Sequence, residues 1–510
     1  MKWLNDIVDE LEARHPSGDI LIESGGTPSG TYHLGHMREI IIADAIILEL
    51  RKRKHQAKHV YFVDDLDALR KIPIDVPSDF DKYLGYPLCD IPSPDDSAAS
   101  YADFFLKGLM DACQVLGVEV EFIRSHQKYR SGWLVPAIEK ALEHIPEAKN
   151  ALETISGRRL DQHWTPIQVM EEKRLKNRPY QSMDTATKTI KYLDAAGETQ
   201  TVHYDKGEVK LDWRLDWPGR WWLMTVQCEP SGRDHMTKGS SYDTGVQIMK
   251  DVYGGQAPYP VSYDFINLAG DTKKMSASKG TGLDVVEASE LMPPEVMRFL
   301  ILKAPPLKRL YFNPVNGVVQ AIDDFAAFAA KTNLTEDEEQ LLYISTRGID
   351  HKTVSRVPFS LLVASYQAAL KDAGRTLAIL SRTEYSKFAK EDAGIILAEI
   401  KFIDAWLKKR APEDVKFSLL GTLPKIDLST KEKDFVNSLA RKIEQAPDSA
   451  DGNWFHQAIY EYKDSSGLQP KQLFSVLYRL IIGKDYGPRA GWFLSILPRG
   501  WLIKRLKLEA

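Results

Sequence analysis

The sequence predicts an α/β chain. A parallel-sheet domain covers residues 1–310, with a small β-containing insertion at about 150–215, and an all-α domain covers 311–510. Three observations carry this. Short apolar strands alternate with helical stretches in the first part, the alternation gives way to turn-rich sequence in the insertion, and only helical periodicity remains after about 310. At 510 residues the chain is too long for one core, and two to four domains are expected.

The elements follow in order. "DILIES" (19–24), "HVYFVDD" (59–65) and "VEVEFIRS" (118–125) read as buried strands, each ending in polar loop residues. "MREIIIADAIILELRKR" (37–53) reads as the helix between the first two. This βαβ rhythm implies a parallel sheet with helices on both faces and ligands at the carboxyl ends of the strands. The informative loops are therefore 24–36 and 64–71. "TKTIKYLDAAGETQTVHYDKGEVK" suggests β-hairpins around "DAAGE" and "DKGE". "VSYDFINL" (261–268) is a further strand. In the last part, apolar stripes mark amphipathic helices: Ile396, Ile400, Ile403 and Leu407; Phe435, Leu439 and Ile443; Leu473, Leu477 and Leu480. The terminus "RGWLIKRLKLEA" is basic.

Hydrophobic residues at 43% and charged residues at 27% are ordinary for a globular protein, and no apolar run is long enough to span a membrane. The N-terminus "MKWLNDIVDELEARH" is amphipathic and acidic, unlike a signal or transit peptide, so a cytoplasmic location is expected. Cys89, Cys113 and Cys228 lie far apart, which argues against a disulfide framework or a zinc knuckle. The net charge of −4 excludes indiscriminate coating of nucleic acid but not a local basic patch.

Two motifs carry chemistry. "SGGTPSGTYHLGHMRE" (24–39) packs Gly25, Gly26, Pro28 and Gly30 into a tight loop opening a helix. Such a helix mouth offers unpaired N–H groups and partial positive charge, an anion site. His33 and His36 fall on the same side of the first turn, where each can donate a hydrogen bond to a phosphate oxygen, and Gly35 between them clears space for an adenine or ribose. A zinc pair is the other reading of two histidines, but the loop holds no third ligand, so no metal residue is assigned. "AGDTKKMSASKG" (269–280) is a cationic loop whose hydroxyls and N–H groups suit a polyphosphate; Lys274 and Lys279 can neutralise a departing pyrophosphate.

Together, "HLGH" and "KMSAS" (274–278) resemble the HIGH and KMSKS signatures of class I aminoacyl-tRNA synthetases, with Leu34 in place of isoleucine and Ala277 in place of lysine. "YFVDDLDALRKIP" (61–73), "LGYPLCDIPSPDDSAASYADFF" (84–105), "LDWRLDWPGRWW" (211–222), "GRDHMTKGSSYDTG" (232–245) and "YGPRAG" (486–491) narrow the resemblance to the class I lysyl-tRNA synthetases of archaeal type, over nearly the whole chain. The resemblance implies a Rossmann-type catalytic domain, a helical anticodon-binding domain, and activation of lysine with ATP and Mg²⁺ before transfer to tRNA(Lys). The working unit is expected to be a monomer. Many relatives carry a cysteine-containing metal knuckle near 175–205; this sequence has no cysteine there, so the knuckle fold is expected without structural zinc.

The implied catalytic residues are His33, His36, Lys274, Ser276 and Lys279, with Pro28, Gly30, Gly35, Met275 and Ser278 around the nucleotide. Gly25, Thr27, Trp213, His235 and Tyr263 are carried over as lysine contacts. The chemistry of lysine sets an independent requirement. Its ammonium must meet a carboxylate, aromatic faces or both, and Glu39 and Asp64 are the carboxylates assigned, from a neighbourhood that also holds Asp65, Asp264, Trp217 and Trp221. A class I synthetase for another amino acid such as glutamate would need an arginine fork instead. A small nucleotidylyltransferase would be shorter, and an inactive synthetase-like tRNA-binding protein would have no use for intact His33, Gly35, His36 and Lys274.

Overall fold

Three apolar runs within the first 125 positions form adjacent parallel strands in the computed structural model, which describes residues 1–269, 283–349, 353–447 and 449–509. They are β1 (Ile20–Gly26), β2 (Ala57–Val63) and β3 (Glu121–Arg124). Two more, β4 (Cys228–Gly232) and β5 (Tyr259–Tyr263), complete a five-stranded parallel sheet in the order β5-β4-β1-β2-β3. The register runs from Ile20 opposite Ala57 to Gly26 opposite Val63, and from Cys228 opposite Tyr259 to Gly232 opposite Tyr263; β1 meets β4 at Ile22 and Cys228. Strand order reverses direction between β1 and β4, and ligands of such sheets bind at that switch point, beyond the strands' carboxyl ends.

The sequence reading missed β4. Its five residues are all buried, but Pro230 removes a ladder donor and Gly232 lacks a side chain to pack, so "CEPSG" carries no strand signature. "VSYDFINL" is two strands, β5 and Ile266–Leu268, the latter paired in parallel with Leu310–Phe312. The helix Leu34–Lys52 follows β1 and is apolar on nearly every side, as a helix enclosed by its neighbours must be.

In the insertion, "DAAGE" does close a hairpin, between Thr189–Leu193 and Thr199–His203. "DKGE" does not: the strand after it, Val209–Leu211, pairs with Ile167–Glu171 in a different sheet. Among the described residues no group of three or more His, Cys, Asp or Glu side chains could hold a metal ion, and no helix is long and apolar enough to cross a membrane.

The chain forms two compact units. The first comprises Met1–Ser289, Met297–Phe312 and Leu334–Ile349; the second comprises Glu290–Val296, Asn313–Asn333 and Asp350–Ala510. Segment 334–349 is tied into the first unit by charge. Asp44, 2% exposed, accepts from Arg298 at 2.7 Å and from Arg347 at 2.6 Å, and Arg298 also donates to the Ile344 carbonyl at 2.8 Å.

The second unit is helical. The predicted stripes are its core, with Ile396, Ile403, Leu407, Phe435, Leu439, Ile443, Leu473, Leu477 and Leu480 buried and Ile400 half-buried. Ser429 and Glu432 form a reciprocal cap at the start of Thr430–Glu444. The basic terminus is partly structural, since Arg505 is fully buried and donates to the carbonyls of Leu420 and Thr422 at 2.6 Å each.

Candidate active site

The carboxyl ends of β1, β2, β4 and β5 surround a cavity of about 510 Å³. Eight of the predicted residues line it: Gly25, Thr27, His36, Glu39, Asp64, Trp213, His235 and Tyr263. His33 and Gly35 lie beside it at the helix mouth, whereas Pro28 and Gly30 shape the loop without lining the cavity. Lys274, Met275, Ser276, Ser278 and Lys279 fall outside the described residues. The chain re-enters at Leu283–Val285 directly against the first motif. Leu34 N–H donates to the Leu283 carbonyl at 2.8 Å, Val285 N–H donates to the Tyr32 carbonyl at 3.1 Å, and His33 bridges Asp284.

His33 is the N-cap of Leu34–Lys52, and its Nδ1 accepts from the Gly35 N–H at 3.1 Å. His36, three residues on, returns its own Nδ1 to the His33 N–H at 3.1 Å. The two histidines are thus a reciprocal capping box, a role usually taken by Ser or Thr with Glu or Gln. Because both Nδ1 atoms accept, each neutral ring carries its proton on Nε2, a hydrogen-bond donor. At Gly35 a Cβ would lie 2.8 Å from the His33 ring, so the glycine makes room for the capping imidazole.

At the end of β1, a Cβ on Gly25 would lie 2.6 Å from the Phe62 carbonyl and one on Gly26 2.7 Å from the Tyr61 hydroxyl. Glycine is required at both for this close approach of the strands. Gly25 N–H donates to Glu39 at 3.3 Å and Tyr263 Oη donates to it at 2.7 Å, so Glu39 is held by one predicted contact from each side. Burial nevertheless pushes its carboxyl up to about 7.

The floor is ionic. Arg220 reaches Asp64 at 3.0 Å and Glu23 and Asp216 at 3.3 Å each, and Lys210 reaches Asp67 at 2.9 Å and Asp216 at 3.4 Å. Thr27 donates to Asp67 at 2.8 Å. Burial raises Glu23 to about 8 and Asp64 to about 6; it works the same way on Asp67, but Lys210, Thr27 and Arg70 together hold that carboxyl below its ordinary range. Adding Glu39 and Glu229, six buried or half-buried carboxyls in and beneath the cavity face the buried cations Arg220 and Lys210, with Arg70 and Asp234 exposed among the lining residues. A cationic ligand would favour the ionised forms of the carboxyls that burial has raised.

The wall is aromatic. Trp213, Trp217 and Trp221 lie four apart on one face of the helix Trp213–Met224. Trp213 and Trp217 line the cavity, stacked with ring centres 6.1 Å apart, while Trp221 is buried behind them. Glu229 on β4 takes the indole N–H of Trp217 on one oxygen at 3.0 Å and that of Trp221 on the other at 2.9 Å. His235 meets Trp213 edge-on at 5.6 Å. Asp65 and Asp264 do not line the cavity: Asp65 is bound by Arg124 and His126, and Asp264 by Arg233 and Arg309. Sequence reasoning missed Glu23, Asp67, Arg220 and Glu229.

Residues 1–350 match the family described as tRNA synthetases class I (K). The chain belongs to this family. The synthetase is 33% identical to lysine–tRNA ligase 1 of Methanosarcina acetivorans, over 99% of this chain and 98% of that one. It is 32% identical to the lysine–tRNA ligases of Archaeoglobus fulgidus and Pyrococcus horikoshii, covering 99% of each chain in both cases.

Proposed function

We propose that this synthetase is a lysine–tRNA ligase, which activates lysine with ATP and transfers it to the 3′ end of tRNA(Lys). The observation that carries the reading is the excess of carboxyls over cations in the cavity, set against two tryptophan faces: this environment suits an ammonium on an aliphatic stem. It opposes a glutamate side chain, which would enter a field of its own sign. Full-length similarity to proteins named lysine–tRNA ligase points the same way.

In the first step a lysine carboxylate oxygen bonds to the α-phosphorus of ATP. The bond from that phosphorus to the bridging oxygen breaks, and pyrophosphate leaves with the electron pair. The nucleophile is already an anion, so the residues work by positioning and charge stabilisation. His33 and His36 donate through Nε2–H to phosphate oxygens. Lys274, Ser276 and Lys279 close over the β and γ phosphates, with Met275 and Ser278 lining the nucleotide, in a segment after which Asp284 pairs with His33. Mg²⁺ accompanies ATP, and no resident metal is assigned. Glu39 and Asp64 face the ammonium; Gly25, Thr27, Trp213, His235 and Tyr263 shape the pocket. In the second step a ribose hydroxyl of the terminal adenosine, the 2′-hydroxyl by analogy with class I enzymes, attacks the lysyl carbonyl and AMP leaves.

In this reading residues 1–310 form the catalytic domain and the helical 311–510 domain grips the anticodon end of tRNA. The protein works as a monomer in the cytoplasm. ATP–pyrophosphate exchange with each of the twenty amino acids, with and without bulk tRNA, tests the function. Exchange with lysine alone is expected. Exchange with another amino acid would discard the pocket assignment, and none under either condition would favour a tRNA-binding protein without activity.

A further inference from the structure

Residues 67–105 supply only Asp67 and Arg70 to the lining of the adenylation cavity, yet they build a small core of their own. Leu69, Val76, Phe80, Leu88, Ile91 and Tyr101 are all buried in it. The segment "DALRKIPIDVP" (67–77) runs along this core and is fastened on both sides. On one side, Leu69 N–H donates to the Tyr86 carbonyl and Gly85 N–H donates to the Leu69 carbonyl, each at 2.8 Å. On the other, Thr31 donates to Asp75 at 2.5 Å, and Tyr101 donates to the Ser29 carbonyl at 3.0 Å. The segment is therefore a braced arm, tied to the loop that leads into His33.

Two side chains of the arm stand outside that core. Arg70 lines the cavity, is exposed, and has no hydrogen-bond or ion-pair partner among the described residues. Asp67, whose carboxyl it helps to keep ionised, is already paired with Lys210. The other arginine of the lining, Arg220, is buried among three carboxylates. Ile74, four residues beyond Arg70, is 76% exposed, more than any other large apolar side chain among the described residues, while Leu69 and Val76 of the same arm are buried. A cation without a partner and an apolar face, carried on one braced arm at the rim, match a phosphate and the flat side of an unpaired base. The carboxyls of the floor repel a phosphate, so it stops at the rim, where Arg70 stands.

We propose that this arm seats the unpaired 3′ end of tRNA, with Arg70 on a phosphate beside the terminal adenosine and Ile74 against the face of a base, so that the terminal ribose hydroxyl meets the lysyl carbonyl. The proposal rests on the reading that the chain charges tRNA. The phosphates of ATP lie at the helix mouth with His33 and His36 in that reading, and an exposed isoleucine offers them nothing.

The test uses the full-length protein carrying Arg70→Ala, Arg70→Lys, Ile74→Ser or Ile74→Phe. Both side chains are exposed, so the fold should survive. Two quantities are read on each: the single-turnover rate of lysine transfer from supplied lysyl-adenylate to a lysine tRNA transcript, and the KM for ATP in lysine-dependent pyrophosphate exchange. Transfer should fall about tenfold or more with Arg70→Ala and about fivefold with Ile74→Ser. Arg70→Lys should keep part of the lost rate and Ile74→Phe most of it, because charge and an apolar face are what the seat requires. Transfer at the parent rate in either Arg70→Ala or Ile74→Ser overturns the proposal. So does a rise in the KM for ATP as large as the fall in transfer, since that result assigns the arm to the nucleotide. Charging by the unsubstituted protein separates the two levels: if it charges and the variants match it, only the seat falls, and if it never charges lysine, the function reading falls with it.

Discussion

His36 accepts the backbone N–H of His33 while His33 accepts that of Gly35, and the two rings lie 4.0 Å apart at the mouth of the helix Leu34–Lys52. One pair of side chains thus both caps the helix and fixes which nitrogen of each ring carries the proton. His36→Ala is expected to cost about 1 kcal/mol of stability through the lost cap. It should lower kcat for lysine-dependent pyrophosphate exchange by about a hundredfold or more through the lost donor, with lysine affinity changed far less. Thermal melts and exchange rates on one preparation check both; a normal kcat would remove His36 from the chemistry.

Glu39 ties lysine affinity to pH. Its carboxyl is raised to about 7 by burial, and only the ionised form pairs well with an ammonium. Lysine should bind about tenfold tighter at pH 8 than at pH 6. The sign for stability is opposite. A carboxyl whose folded pKa lies above its unfolded value holds more protons when folded, so its contribution falls as pH rises from about 4.5 to about 7. Calorimetric titration of lysine across this range, repeated with Glu39→Gln, is the check. The variant should bind about 1.5–3 kcal/mol more weakly and lose most of the pH dependence.

Glu229 lines the cavity and also holds its tryptophans. Its two oxygens hold the indoles of Trp217 and Trp221, so Glu229→Gln keeps one acceptor and turns an N–H₂ toward the other indole. The expected loss is about 1–3 kcal/mol of stability, with a raised KM for lysine and a shift in tryptophan emission. Emission and KM identical to those of the parent would show that the indoles hold their positions without it.

Arg220 is the cation on which the floor depends. Arg220→Met removes the partner of Glu23, Asp64 and Asp216 at once, and should destabilise by about 3–5 kcal/mol in denaturant unfolding. A smaller loss at pH 6 than at pH 8 is expected, because Glu23 and Asp64, already raised to about 8 and about 6, neutralise themselves by protonation once the arginine is gone.

What the sequence made legible is what is written locally. β1, β2 and the helix between them have period and length, and the histidine pair has its spacing. Trp213, Trp217 and Trp221 follow a spacing of four that would have ranked them, since one face of a helix points the first two at the cavity and buries the third. β4 was invisible because Pro230 and Gly232 erase strand propensity, and with it went Glu229. Arg220 and Glu23 meet across residues far apart in the chain, a relationship that no local window contains. Gly35 was legible as a place without a side chain, but the His33 ring that a Cβ there would meet at 2.8 Å appears only in the folded geometry.

The pairing of Asp44 with Arg347 spans 303 residues. A ribosome adding about 5–20 residues per second takes roughly 15–60 s to cover that distance. Throughout, a carboxylate destined for full burial waits in the nascent first unit for its second arginine. The last strand of the sheet ends at Tyr263, so every strand that builds the active site is synthesised before Arg347 arrives to complete the burial of Asp44.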